Sequence, residues 1–122
     1  MKCRFTRHAI ERFVQRSNKC FKHLDECRKQ ECESCNRLKR EIQEYITQDE
    51  QQINRLIVYH ITHGKKDRSY LNNTNFMDFY YEKYGYNFKC DFIVSQYLVF
   101  IIVKTRTPKL VTVLNRKLHY LW

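Results

Sequence analysis

The sequence predicts an α+β protein: N-terminal helices packed on a C-terminal antiparallel sheet of three to four strands, with a cysteine-rich helical insertion between them. Apolar residues recur at three- and four-residue steps over 6–17 and about 36–63, the spacing of helices that bury one face. β-branched and aromatic residues crowd the last third, punctuated by short turn-forming runs. Four of the six cysteines fall between positions 20 and 35. Helices followed by a meander is the order of an α+β fold. The 122 residues suffice for one core and not for two, so one domain is expected over 1–122, with the insertion at about 18–87. A hydrophobic share of 43% excludes disorder as the main state. Two glycines and one proline exclude glycine-rich phosphate loops, dinucleotide fingerprints and low-complexity linkers.

Residues 6–17 read as an amphipathic helix with Thr6 as N-cap. Ile10, Phe13 and Val14 form its apolar stripe, and His8, Arg12 and Arg16 fall within about 80° on roughly the opposite side. Residues 18–36 carry no period. From 36 to 63 the residues Leu38, Ile42, Tyr45, Ile46, Ile53, Leu56, Ile57 and Tyr59/His60 predict a long helix, broken near 47–50 and closed by Gly64 as C-cap. A loop over 65–73 leads to a cap signal at Asn73/Thr74 and a short aromatic helix over 75–84, ended by Gly85. Strands are predicted at 88–95, 97–106 and 110–115, with a fourth at 117–122 if that segment also pairs.

The net charge of +10 points to a polyanion partner. Its distribution is uneven. Residues 1–24 hold seven basic side chains against Glu11 alone, and residues 92–122 hold five with no acid. Between them, eleven basic residues meet twelve acidic ones. A nucleic-acid site assembled from both regions produces this segregation, with Arg4, Arg7, Lys104, Arg106, Arg116 and Lys117 as its candidate contacts. Chance drift of charge is the plain alternative. No secretory signal is expected, because the N-terminus runs directly into a polar amphipathic stretch. The longest charge-free run, 92–103, is shorter than the ~20 residues of a spanning helix. A cytoplasmic protein with no membrane partner is therefore expected, and there clustered cysteines mean metal or packing more often than disulfides.

The helix-one trio carries the chemistry. Histidine transfers protons near neutral pH, and arginines hold a phosphate and stabilise the charge that develops on it. RNA needs little else, since its own 2′-hydroxyl attacks the adjacent phosphorus once a base removes the proton and an acid protonates the leaving oxygen. The alternative is a solvated face on which Glu11 pairs locally.

The run Arg7-His8-Ala9-Ile10-Glu11-Arg12-Phe13-Val14-Gln15-Arg16 comes first; Tyr97 to Val103 and Val111-Thr112-Val113-Leu114 follow much later. Together they resemble a family of small bacterial and phage domains that open with H-A-x-E-R-φ-x-x-R, φ being apolar, and close with paired strands. That family is grouped with RelE-like toxins in the barnase, EndoU, colicin and RelE superfamily of ribonucleases. The resemblance covers about residues 4–17 and 88–116. It implies a helix packed across a small antiparallel sheet with an RNA-cleaving cleft between them. His8 is then the proton-transfer residue, Arg12 and Arg16 the phosphate ligands and Thr112 a polar participant. RNA is the implied partner, with a protein antitoxin or a host nucleic-acid-binding complex as further ones. About seventy residues intervene between helix and sheet here, where family members have a few dozen.

Within that insertion, Cys20-x2-His23 and Cys32-x2-Cys35 form two hooks able to supply four ligands to a structural tetrahedral zinc, with Cys27 between them. Reduced cysteines without metal are the alternative. No catalytic cofactor is expected. His60 and His63 with the following basic residues can bind metal or phosphate, or simply cap a helix C-terminus. Phe76, Phe79, Tyr80, Tyr81, Tyr84 and Tyr86 can stack on bases, though at helical spacing such residues more often form core. The leading expectation is a metal-independent endoribonuclease of toxin type. A non-catalytic phage or mobile-element inhibitor and a zinc-stabilised DNA-binding regulator are the other two.

Overall fold

The computed structural model describes residues 3–69, 74–85 and 89–115. In chain order the elements are β1 (Arg4–Phe5), α1 (Arg7–Ser17), a 3₁₀ turn (Lys19–Phe21), α2 (Lys22–Glu26), α3 (Glu33–His63), β2 (Lys65–Lys66), α4 (Thr74–Tyr84), β3 (Cys90–Ser95), β4 (Leu98–Val103) and β5 (Lys109–Asn115). The fold is α+β, as the sequence predicts, but the described sheet has five strands, in the order β1-β5-β4-β3-β2. The three long strands form the expected antiparallel meander. The two additional strands are two residues each, too short to leave a period in the sequence. The segment 117–122, expected as a fourth strand, lies outside the described residues.

Helix α1 starts where the cap signal places it, with Thr6 Oγ1 accepting from the Ala9 N–H at 3.1 Å. The same hydroxyl donates to the Leu110 carbonyl at 3.1 Å, so one side chain both caps the helix and fastens it to β5. Helix α3 begins three residues before its expected start because Cys32 is its N-cap, the thiol accepting from the Cys35 N–H at 3.4 Å. Asp49 (φ −127°, ψ 30°) leaves helical geometry inside the predicted break, so α3 is kinked and not divided. Gly64 does close it, without a left-handed backbone: φ is −77°. A Cβ there would stand 2.5 Å from Ile93 Cγ2, 2.8 Å from the His60 carbonyl and 3.0 Å from the Val94 carbonyl. Close approach of the helix end to β3 requires the glycine. Gly85, by contrast, ends α4 at φ +89°.

All six residues of β4 are buried because the sheet is covered on both faces. On one face α1 and α3 place Phe13, Val14, Ile53 and Ile57 over Ile93, Leu98, Phe100, Ile102, Leu110 and Val113. On the other, Met77 and Tyr80 of α4 lie over Phe92, Val99, Ile101 and Leu114. The expected N-terminal helices pack on one face of the sheet, and the insertion also supplies α4 to the second face and β2 to an edge. Helix α1 packs on β5 and β1 pairs in parallel with it (Arg4 with Lys109, Phe5 with Leu110), so the two basic regions of the sequence meet in space.

Candidate functional site

β1 covers β5 only at Lys109 and Leu110, and Arg16 of α1 reaches the outer edge beyond them, where Nη1 donates to the Val113 carbonyl at 2.6 Å. Arg16 Nε also donates to Asp25 Oδ1 of α2 at 3.1 Å. That oxygen accepts a second bond, from Gln15 Nε2 at 2.7 Å, and Gln15 Oε1 accepts from Arg12 Nη1 at 2.7 Å. Gln15 is buried, and the side chains of Asp25 and Arg16 are only 6% and 17% exposed. Arg12, Gln15 and Arg16 are therefore bound to α2 in a continuous polar chain, which the buried amide needs to satisfy its donors and acceptor.

His8 lies one turn earlier on α1 and is exposed. Partial burial and then Arg12 hold its pKa below the ordinary histidine value, with Lys83 and Arg16 acting in the same direction and Glu11 against them. Lys83 lies on α4, and Arg16 in turn acts on Tyr80, so the last turn of α4 comes within electrostatic range of α1 around the β5 edge. Burial also depresses the Arg12 pKa, followed by repulsion from Arg16. Thr112 is buried and pairs with Ile101, so it shares the α4 face of the sheet, across from the face on which α1 packs.

Of the candidate nucleic-acid contacts, Arg4 is exposed on β1 beside Lys109. Arg7 is engaged with Glu11 (3.3 Å) and with Gln43 of α3. Lys104 pairs with Asp91 at 3.3 Å and Arg106 is exposed in the β4–β5 turn. Arg116 and Lys117 lie outside the described residues.

The cysteine-rich segment brings four ligand atoms together: those of His23, Cys27, Cys32 and Cys35 all lie within 4.8 Å of one another. His23 Nε2 is 3.1 Å and Cys27 Sγ 3.9 Å from Cys32 Sγ. Cys20, expected as the first ligand, is not in the group, and Cys27 stands in its place. The reason is local. His23 and Cys27 are four apart on α2 and share its face, whereas Cys20 precedes the non-helical joint at Phe21 (φ −103°, ψ 11°) and turns away with the 3₁₀ segment. The second pair is the N-cap and first turn of α3. Two helix ends thus face each other with H-x3-C and C-x2-C. Hydrogen bonds from the Cys35 backbone hold the Cys32 pKa down, as a thiolate ligand requires, while burial pushes the Cys35 thiol up to about 12 without a cation. A tetrahedron with metal–sulfur bonds of about 2.3 Å has edges of about 3.7 Å, so the spacing is compatible with a structural zinc.

His60, weighed in the sequence as a ligand, has Nδ1 2.8 Å from Ser95 Oγ and stacks on Phe100 at 5.6 Å. His63 Nδ1 lies 2.9 Å from the Tyr59 carbonyl of its own helix, a C-terminal capping contact. Phe79 is 60% exposed while Tyr80 is buried, so the aromatic helix divides between surface and core. Sequence reasoning passed over Gln15, Asp25 and Lys83. Asp25, the only acid between Glu11 and Glu26 in a strongly basic stretch, was the available signal.

Fold and site together define a small α+β protein with a cationic sheet edge and a separate imidazole–thiol tetrad. The chain matches no family model, no curated protein and no solved structure. Among the described residues, no helix is long and apolar enough to cross a membrane.

Proposed function

We propose that the protein binds single-stranded RNA at the β5 edge, between α1 and the last turn of α4, and cleaves it through the RNA 2′-hydroxyl without a catalytic metal, in the manner of a RelE-like toxin. What supports the reading is that α1 sets His8, Arg12 and Arg16 along the part of the β5 edge that β1 leaves uncovered, with Lys83 of α4 within electrostatic range of His8 and, among the described residues, Glu11 and Asp25 opposing them. The lowered pKa favours the neutral form of His8, which is suited to accept the 2′-hydroxyl proton as O2′ bonds to phosphorus; the P–O5′ bond breaks and the departing oxygen takes its proton from water. Arg12 and Lys83 hold the phosphate, and Arg4, Lys109 and Arg106 extend the anion track. Arg16, tied to Asp25 and Val113, positions the arginine face more than it reaches outward. The His23/Cys27/Cys32/Cys35 group carries a structural zinc; four protein ligands leave no open position for chemistry. Reduced thiols suit a cytoplasmic setting.

Zinc-loaded protein is incubated with single-stranded RNA in magnesium-free buffer, zinc being retained so that chelation does not itself unfold the sample. Cleavage leaving 2′,3′-cyclic phosphate ends, and abolished by His8→Ala, is the expected result. Intact RNA at large protein excess, or equal cutting of a substrate lacking the 2′-hydroxyl at the cleaved position, would overturn the ribonuclease reading.

A further inference from the structure

We propose that the zinc centre is a clasp for the arginine face: the ion that binds His23, Cys27, Cys32 and Cys35 also fixes the position of Asp25, and through it Gln15, Arg16 and Arg12. This rests on the zinc reading given above. Helix α2 is only five residues long, too short to hold its own geometry in water. It is fastened at three points. Leu24 is buried in the core. His23 and the C-cap Cys27 face the tetrad. Asp25, rotated about 200° from His23, faces α1 and accepts from Gln15 and Arg16. One short helix therefore carries a metal ligand on one side and the carboxylate clamp on the other. Metal binding orders α2 and so delivers Asp25 to α1, while an intact clamp presents His23 and Cys27 to the ion in the right register.

Linkage makes this reciprocal: whatever factor the metal adds to the clamp, the clamp adds to metal affinity. Zinc affinity is measured by competition with a chromogenic chelator under reducing conditions, with total zinc confirmed by elemental analysis. Asp25→Asn and Gln15→Leu, neither touching a ligand atom, are expected to lower the affinity by about fivefold or more. Glu26→Gln is the control for bulk charge: it removes an acid next to Cys27, but one that is exposed and paired with Lys22, and is expected to change affinity less than twofold. In the wild type, zinc is expected to slow hydrogen exchange at Arg16 Nε–H, read by NMR. Zinc bound as tightly in Asp25→Asn and Gln15→Leu as in wild type, or a loss equal to that of Glu26→Gln, overturns the clasp alone. Failure to bind zinc at all overturns the metal reading and the clasp with it. Neither readout contains RNA, so absence of RNA cleavage leaves both standing. Should zinc removal unfold the chain, the variant affinities decide.

Discussion

Arg16→Met distinguishes an arginine that holds the fold from one that waits for substrate. The Arg16 side chain is 17% exposed, and its guanidinium spans Asp25 Oδ1 at 3.1 Å and the Val113 carbonyl at 2.6 Å. Methionine keeps most of the apolar stem and deletes both contacts. Removing one partner of a buried ion pair costs about 3–5 kcal/mol. Here Asp25 keeps its bond from Gln15. Water also reaches part of Arg16 and can replace it on the uncovered strand edge, which lowers the expectation to about 2–3 kcal/mol. That is a large share of a domain stability of about 5–15 kcal/mol. With a urea slope of about 1–3 kcal/mol per molar, the unfolding midpoint of the zinc-loaded protein falls by about 0.7–3 M. Arg16→Lys, which keeps charge but not the two-pronged geometry, should fall between. His8→Gln, two turns away on α1 and exposed, should change stability by no more than about 0.5 kcal/mol. An Arg16→Met midpoint within experimental scatter of wild type would refute the strut and return Arg16 to the phosphate ligands.

Three further outcomes are expected. Because burial and Arg12 lower the His8 pKa, the neutral, proton-accepting form persists below pH 6.5, so the acid limb of kcat/KM for RNA cleavage should lie below that value; a limb above it contradicts the electrostatics described. Burial likewise lowers the His60 pKa, so the unfolded chain binds more protons in mild acid and stability falls as pH drops through the ordinary histidine range; His60→Gln should lessen that fall between pH 7 and 5, measured by urea unfolding, and an unchanged pH slope counts against it. Gly64→Ala should destabilise by about 1–3 kcal/mol through overlap with Ile93 and two carbonyls, whereas Gly85→Asn, which tolerates a positive φ and meets nothing within 4 Å, should be nearly neutral; the reverse order in thermal unfolding would show that backbone conformation and not space governs both sites.

What could be read from the residues followed from how locally each feature is determined. Thr6, the Ile10/Phe13/Val14 stripe, the Asp49 region and the β-branched strands are local signals, and each marks its element. The uninterrupted apolar run of β4 was itself a sign of burial on both faces, which α4 provides. Two-residue strands carry no period, and β1 owes its pairing to residues more than a hundred positions away. The substitution of Cys27 for Cys20 turned on whether the segment is a loop hook or a helix: C-x2-H suits the first, H-x3-C the second, and the joint at Phe21 decides. The Gln15–Asp25–Arg16 clamp depends on α2 folding back against α1, a tertiary event that spacing along one helix cannot display.

The parallel pairing of Arg4–Phe5 with Lys109–Leu110 also dictates a schedule for synthesis. At about 5–20 residues per second, roughly 5–20 s separate the emergence of α1 from that of its strand partner β5. During that interval the apolar stripe Ile10, Phe13 and Val14 can rest on α3 but not on the sheet that completes its burial. The arginine face is therefore assembled only once β5 has left the ribosome, and until then a nascent chain holds α1 with that face unfinished.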